Sequence, residues 1–512
     1  MQVTVELYWC FKVNKKEFLE YLYAKKRFLK KSGKEIMSEY TKYFSCPEHS
    51  MKIIHIAGTN GKGSVAAMIS SILMEAGFNV GLFTSPHLIE FNERIKFNGK
   101  DIDDEELLAI GSAVKDVGDK VNSTMFDDSL MIALLYFKKK KANYVVLETG
   151  LGGRLDATTG INCVPLVSVI TKIGLDHTKY LGNDVVSIAK EKAGILKKGT
   201  RLVIGENVKE VVDTIENKAK EVGVSYIYTG DFYKEKKDDK LKLLDKGEDD
   251  KLKLINKNDL GDISNFIKNH IEEYIVETSL KGDYQKENIK TAILAVKTLF
   301  DIEKDKGIKE LKEKYFNEYI KNGLKKVSWP GRFQIINDKP LIIIDGSHNP
   351  QAVNAFIRSM TLKYPGRDFI GVFSILKDKD RKSIYKIIKE NFSYIYTVDI
   401  KNKRALDGKI LAKELNENGI LAEFEGTCVS AIIKAKKKIK ENLKEKNRNI
   451  ISTEIKEQNR KIISTEIKEQ NRNITSTEMK EQMKVNDSII ICFGSLYLIG
   501  EILKNKDKLK EK

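Results

Sequence analysis

The stretch His55-Ile56-Ala57-Gly58-Thr59-Asn60-Gly61-Lys62-Gly63-Ser64 decides how this chain is read. It begins inside a short β-rich run, Lys52 to Ala57 (KIIHIA), and leads into Ser64 to Ala76 (SVAAMISSILMEA), whose apolar residues recur at helical spacing until Gly77. A glycine-rich loop between a strand and a helix N-terminus is the context that phosphate binding needs. Glycines let the backbone approach oxygen atoms, the free N–H groups of the first helical turn face the anion, a lysine reaches the terminal phosphates, and a serine hydroxyl can ligate Mg²⁺. Here those residues are Lys62 and Ser64. The loop departs from the common GxxxxGK[ST] spacing because Gly63 stands between the lysine and the serine. As a bare pattern it also admits a plain glycine turn.

Working outward, strand-like runs alternate with helical ones. Val80 to Thr84, Tyr144 to Glu148 (YVVLE), Val164 to Ile173 and Arg201 to Gly205 read as strands, with a helix expected at Ser129 to Lys140. Such alternation implies an α/β fold with a mostly parallel sheet covered on both faces. The pattern breaks at Asn322-Gly323 and again at Trp329-Pro330-Gly331, which is turn chemistry suited to a linker. A second series follows: Leu341 to Asp345, a helix from about Gln351, Phe369 to Phe373, a helix from about Asp380, Tyr394 to Val398, and Ile489 to Phe493. We therefore expect a P-loop ATPase-like domain over 1–323, a linker over 324–331, and a smaller Rossmann-like α/β domain over 332–512. Two stretches fit neither series. Asp231 to Asn265 is crowded with Lys, Asp and Asn, and residues 447–482 repeat one dodecamer three times (NRNIISTEIKEQ, NRKIISTEIKEQ, NRNITSTEMKEQ). Three polar, near-neutral dodecamers are too short for a solenoid, so both stretches read as surface insertions.

The 512 residues suffice for two or three domains with real cores. Apolar residues make up 41 % and charged residues 32 %, too much hydrophobic matter for wholesale disorder. Ninety Lys and Arg against 73 Asp and Glu give a net charge of +17, a field that attracts anionic metabolites or nucleic acid. The chain has no RNP-like aromatic cluster, helix-turn-helix signature or zinc-ribbon spacing, so charge alone speaks for nucleic acid and none is expected as a partner. Five widely spaced cysteines without a CxxC pair suit reduced thiols in a cytoplasmic setting. No apolar run approaches the roughly 18–20 residues of a membrane span, and MQVTVELYWCFKV carries too short an apolar patch for a signal peptide, so no membrane association is expected.

Further clusters fall at the expected strand ends, where parallel sheets gather ligands. They are Thr84-Ser85-Pro86-His87-Leu88, Phe91-Asn92-Glu93-Arg94-Ile95, Leu147-Glu148-Thr149-Gly150-Leu151-Gly152-Gly153-Arg154-Leu155-Asp156-Ala157-Thr158, Gly174-Leu175-Asp176-His177-Thr178 and Ile188-Ala189-Lys190-Glu191-Lys192-Ala193-Gly194-Ile195. Trp329-Pro330-Gly331-Arg332-Phe333, Asp345-Gly346-Ser347-His348-Asn349-Pro350, Lys377-Asp378-Lys379-Asp380 and Gly494-Ser495-Leu496-Tyr497-Leu498-Ile499-Gly500 continue the series. In this order the motifs resemble the bifunctional dihydrofolate synthase/folylpolyglutamate synthase family of the Mur ligase superfamily, over about residues 13–500 apart from the two insertions.

The resemblance implies a Mur-type ligase fold and assigns roles residue by residue. Asn60, Gly61, Lys62, Gly63 and Ser64 would bind ATP phosphates, and Ser64, Ser85, Glu148 and His177 would hold Mg²⁺. Lys192 matches a lysine that CO₂ carbamoylates. Asn288, Arg332 and Asp345 match ATP contacts, and His348 matches a residue near the incoming glutamate. Leu155, Asp156 and Ala157 match the dihydropteroate-binding turn, while Phe126, Asp127 and Ser129 stand where the family has an F-E-x-x-T cluster. Residue chemistry agrees in part: a carboxylate at the end of an apolar strand, as at Glu148, is costly to bury without a cation, and the forked guanidinium of Arg332 suits phosphate. Without the resemblance, Lys192 would read as a surface lysine and His177 as a structural residue.

The implied reaction is ATP-dependent amide formation through an acyl phosphate. L-glutamate would be added to dihydropteroate, giving dihydrofolate, and to tetrahydrofolate polyglutamates, by a monomer. The alternatives are a monofunctional folylpolyglutamate synthase or a Mur-type cell-wall amino-acid ligase. The Ser85-Pro86-His87 and Gly153-Arg154-Leu155-Asp156 clusters are of the folate type and disfavour the latter.

Overall fold

The computed structural model describes residues 14–26, 29–232, 270–305, 315–444 and 488–509. The dodecamer repeats and nearly all of the charged insertion lie outside them. The chain divides into two compact units, Met1–Trp329 and Pro330–Lys512.

In the first unit eight strands form one sheet: β1 (Lys52–Ala57), β2 (Val80–Phe83), β3 (Ile95–Phe97), β4 (Lys100–Asp101), β5 (Tyr144–Glu148), β6 (Val167–Ile170), β7 (Arg201–Ile204) and β8 (Tyr226–Tyr228), in the order β4-β3-β2-β5-β1-β6-β7-β8. From β2 to β8 all neighbours are parallel, while β3 and β4 add an antiparallel edge. Side chains alternate across a strand, so β5 sends Tyr144 and Val146 into one apolar cluster and Val145 and Leu147 into another. The first cluster is closed by helices Lys62–Glu75, Gln285–Asp305 and Phe316–Lys326, the second by Asp104–Val121 and Met125–Lys139. Both faces are thus covered, as a parallel sheet requires. β1 is central, so the loop that leaves its carboxyl end emerges where the neighbouring strands β5 and β6 also end.

Three local expectations change. The helix expected from Ser129 starts at Met125, because Thr124 caps it: Thr124 Oγ1 accepts from Asp127 N–H at 3.2 Å and Asp127 Oδ2 accepts from Thr124 N–H at 2.8 Å. The strand expected over Val164 to Ile173 is confined to Val167–Ile170. Asn322-Gly323 makes no break. It lies inside helix Phe316–Lys326, which carries on through the first residues expected in the linker. The glycine is there for close approach: a Cβ would sit 2.6 Å from Ile72 Cα, and the Gly323 carbonyl accepts from Ser71 Oγ at 2.7 Å.

In the second unit six strands, β9 (Gln334–Asp338), β10 (Leu341–Ile344), β11 (Phe369–Phe373), β12 (Tyr394–Thr397), β13 (Ala422–Phe424) and β14 (Ile489–Phe493), take the order β13-β12-β11-β14-β10-β9. All are parallel except β9, which pairs antiparallel with β10. The last strand in sequence, β14, sits in the middle and is wholly buried. Among the described residues no helix is long and apolar enough to cross a membrane.

Candidate active site

The loop after β1 is clamped to the segment after β6. Thr59 N–H and Asn60 N–H both donate to the Lys172 carbonyl, at 2.9 and 3.0 Å, and Thr59 Oγ1 exchanges hydrogen bonds with Gly174 O and N. Gly61 adopts φ +89°, and a Cβ on it would fall 2.2 Å from Asn288 Oδ1, so the loop needs glycine there on both counts. Helix Lys62–Glu75 begins directly after it. Asn288 is fixed in turn by Gln285, which accepts from its amide at 2.7 Å and reaches Ser64 Oγ at 3.5 Å.

Around this loop the structure assembles several of the residues singled out by sequence. Lys62 Nζ donates to Gly58 O at 3.0 Å and lies 3.9 Å from Glu148 Oε1. Glu148, buried at the end of β5, accepts from Ser85 N–H at 3.1 Å. Lys192, far from being a surface lysine, is 4 % exposed, and its Nζ donates to the same Gly58 carbonyl at 2.7 Å. Burial, reinforced by the Lys62 charge, lowers the Lys192 pKa to about 7. Its side chain is therefore largely a neutral amine just above neutrality. His177 is half-buried at the N-terminus of the short helix Thr178–Leu181, in a left-handed conformation, with its backbone N–H on Asp176.

The turn that carries Leu155, Asp156 and Ala157 is built differently. Leu155 is exposed, while Asp156 and Ala157 are buried. Asp156 accepts from Leu151 N–H at 2.8 Å, Thr158 N–H at 3.0 Å and Thr158 Oγ1 at 2.6 Å. A carboxylate offers roughly four lone-pair positions, so the turn itself occupies most of those on Asp156. The Thr158 hydroxyl, which donates to Asp156, must accept from His55 Nε2 at 2.7 Å. His55 is completely buried, burial drives its pKa down to about 3, and its Nδ1, the bare acceptor of the Nε2–H tautomer, has no hydrogen-bond partner.

The cluster Phe126-Asp127-Asp128-Ser129 opens helix Met125–Lys139. Asp127 serves as the cap described above, and burial raises its pKa to about 6. Ser129 Oγ donates to Met125 O at 2.6 Å. Asp128, not singled out from sequence, is fully buried against Lys25 Nζ at 2.6 Å and Tyr40 Oη at 3.0 Å.

In the second unit, Asp345 follows β10 and is buried; its two oxygens accept from Phe333 N–H and Ser347 N–H, both at 2.8 Å. Arg332 Nη1 donates to Gly331 O at 3.0 Å, and His348 Nδ1 lies 2.8 Å from Gly346 O.

Gln285, His55 and Asp128 are the residues that sequence reasoning missed. Only Gln285 carried a signal, because it stands three residues before Asn288 and so shares a helix face with it.

Comparison with known proteins comes to the same region. The family model of the Mur ligase middle domain matches residues 56–296, and that of the Mur ligase, glutamate ligase domain matches residues 331–452. The dihydrofolate synthase/folylpolyglutamate synthase of Bacillus subtilis is 33 % identical over 373 residues, which is 72 % of this chain and 80 % of that protein. The folylpolyglutamate synthase of Lacticaseibacillus casei is 32 % identical over 361 residues, 69 % of this chain and 78 % of that one. The fold is shared with the Mycobacterium tuberculosis folylpolyglutamate synthase complexed with ADP, at a TM-score of 0.71 and 22 % identity over 96 % of this chain and 98 % of that chain.

Proposed function

The chain belongs to the dihydrofolate synthase/folylpolyglutamate synthase family of ligases, and from that premise we propose that it joins L-glutamate to dihydropteroate and to tetrahydrofolate polyglutamates, driven by ATP. The observation that carries this reading is the convergence of Lys62, Glu148, Ser85 and Lys192 on the glycine loop after β1.

In the proposed reaction the acceptor carboxylate attacks the γ-phosphorus and ADP leaves, giving an acyl phosphate. The amine of glutamate then attacks the acyl carbon, phosphate departs, and the amine proton is released to solvent. Lys62, at the start of its helix, offers its ammonium to the transferring phosphoryl group, while Asn60, Gly61, Gly63 and Ser64 line the phosphates and Asn288 supports the loop. Glu148 is a buried carboxylate at the end of β5, and the Ser64 hydroxyl lies in the first turn of the helix, a donor set that fits a hard divalent cation. Ser64, Ser85, Glu148 and His177 are the residues assigned to Mg²⁺, which when bound supplies positive charge to the phosphate oxygens. A neutral Lys192 amine can add CO₂, and the carbamate would place a second carboxylate beside Gly58.

On the acceptor side, Leu155 and Ala157 present the turn and Phe126 and Ser129 the helix start, whereas Asp156 and Asp127 hold those two elements in shape. Arg332 and Asp345 are assigned to ATP and His348 to the incoming glutamate. The free thiols of Cys46, Cys163, Cys428 and Cys492 suit a cytoplasmic enzyme, and we take it to act as a monomer.

The test is direct. Purified protein is given ATP, Mg²⁺ and labelled glutamate with either dihydropteroate or tetrahydrofolate, and the products are separated. Labelled product is expected from both acceptors. Product from tetrahydrofolate alone reduces the activity to folylpolyglutamate synthesis, and product from neither removes the reading.

A further inference from the structure

Between helix Gly33–Tyr43 and β1, three metal-ligating side chains stand together that no step of glutamate ligation uses. Cys46, Glu48 and His49 each bring a donor atom, and the three atoms lie within 4.8 Å of one another. One residue, Asn162, orients all three. Its backbone N–H donates to Glu48 Oε1 at 2.8 Å, its side-chain amide reaches Cys46 Sγ at 3.9 Å, and its carbonyl lies 2.8 Å from His49 Nε2.

These bonds settle which atoms are left to bind. A carbonyl can only accept, so His49 Nε2 carries the proton and Nδ1 keeps a bare lone pair. Glu48 is completely buried, and while Oε1 is bonded to Asn162, Oε2 has no hydrogen-bond partner. A buried carboxylate oxygen without a donor is an expensive arrangement, and a cation is the partner that would resolve it. An imidazole whose far N–H is held by a backbone carbonyl, and a carboxylate held by an N–H, are the outer supports usual around protein-bound zinc.

We propose that Cys46, Glu48 and His49 bind a thiophilic divalent cation of the Zn²⁺ class, with water in the fourth position. A sulfur, a nitrogen and an oxygen donor favour such an ion over Mg²⁺ or Ca²⁺, which take oxygen. Tetrahedral ligand atoms around Zn²⁺ lie about 3.3–3.8 Å apart, given bonds of about 2.0–2.3 Å, so the donors must draw in by about 1 Å. His49 is exposed and gives the ion access. Lys197 opposes the charge, but its Nζ is tied to the Ile161 and Cys163 carbonyls, at 2.6 and 3.0 Å, and burial lowers its pKa. Cys46 follows the helix whose Lys34 N–H donates to Leu155 O at 3.1 Å, and Asn162 follows the turn Ala157–Gly160. A bound ion would fasten together two segments that shape the acceptor side. This inference stands apart from the proposed reaction.

The experiment is a Co²⁺ titration of the full chain with Mg²⁺ in large excess, so that oxygen-rich sites are filled. One equivalent of Co²⁺ should give a sulfur-to-cobalt charge-transfer band that Zn²⁺ abolishes. His49→Ala, an exposed change that leaves folding intact, should weaken binding at least tenfold. Asn162→Ala keeps the backbone groups that hold Glu48 and His49 and removes only the amide contact to Cys46, so it should weaken binding less than His49→Ala does. Cys46→Ser should remove the band, and Cys163→Ser should keep it. Absence of the band in the unaltered chain, undiminished affinity in His49→Ala, or loss of the band in Cys163→Ser would each overturn the proposal, and His49→Ala decides alone should Cys46→Ser fail to fold.

Discussion

The glycine loop after β1 and the turn around Asp156 both place charged side chains out of water, and they treat them in opposite ways. At the loop, two lysines from different helices point at the single Gly58 carbonyl, and the nearest carboxylate to Lys62 is 3.9 Å away. A second buried ammonium beside Lys62 is unfavourable in the free protein, so Lys192 gives up its proton near neutrality, while the Lys62 charge becomes favourable when an anion arrives. At the turn, one carboxylate meets three donors, from Leu151 and Thr158, and His55 in turn donates to the Thr158 hydroxyl. The loop is arranged to receive a ligand. The turn is arranged to keep a shape. Motif and burial alone do not separate the two cases; the hydrogen-bond inventory of each charged group does.

The contrast is open to mutation. Lys62→Ala should produce the largest effect, a loss on the order of 10²–10³ in kcat with both acceptors and an unchanged thermal midpoint, because the side chain serves the reaction and not the fold. Near-normal kcat would remove the loop from catalysis. Asp156→Ala should do the reverse: it strands buried donors, so stability falls by about 1–3 kcal/mol, and KM rises for dihydropteroate and tetrahydrofolate together. Undiminished stability with a loss confined to dihydropteroate would mean that the carboxylate meets the pterin itself, and the contrast would fail. Gly323→Ala lies outside both regions and forces a methyl against the backbone of helix Lys62–Glu75, so it should cost about 1–3 kcal/mol in denaturant unfolding while kcat of the folded enzyme is kept. Deleting 447–482 should have the smallest effect, leaving both activities within about twofold, since the repeats carry none of the motifs and the entropic cost of closing a chain segment changes little with its length. A folded deletion variant without turnover would show that the repeats take part.

What sequence could reveal follows the same physics. Buried parallel strands are continuous apolar runs, so β1, β5, β11 and β14 stand out in the sequence with the same first and last residues as in the structure. The edge strands β4, β8, β9 and β13, together with β3 beside β4, are short or partly exposed, carry no such signal and are absent from the sequence expectations. Asn322-Gly323 misled because a glycine needed for helix contact looks the same as one needed for a turn. The loop residues were legible because their chemistry is local: Gly61, Lys62 and Ser64 act within a few positions of one another. Asp128 with Lys25, and His55 with Thr158, were not, because each pair joins residues about a hundred positions apart. The hydrogen bonding of Asp156 is equally hidden, since only the folded turn brings Leu151 and Thr158 to one carboxylate.

Lys192 carries the central claim, that the loop region holds its groups in a reactive state. Because burial lowers its pKa to about 7, the amine is protonated below that pH and neutral above it, and only the neutral form can add CO₂. The most direct measurement is ¹³C NMR of the full chain equilibrated with ¹³C-bicarbonate across pH 6 to 9, alongside Lys192→Ala. The account predicts one protein carbamate resonance that grows as pH rises through about 7 and is missing from the variant. No carbamate at any pH, or one that persists in Lys192→Ala, would contradict it.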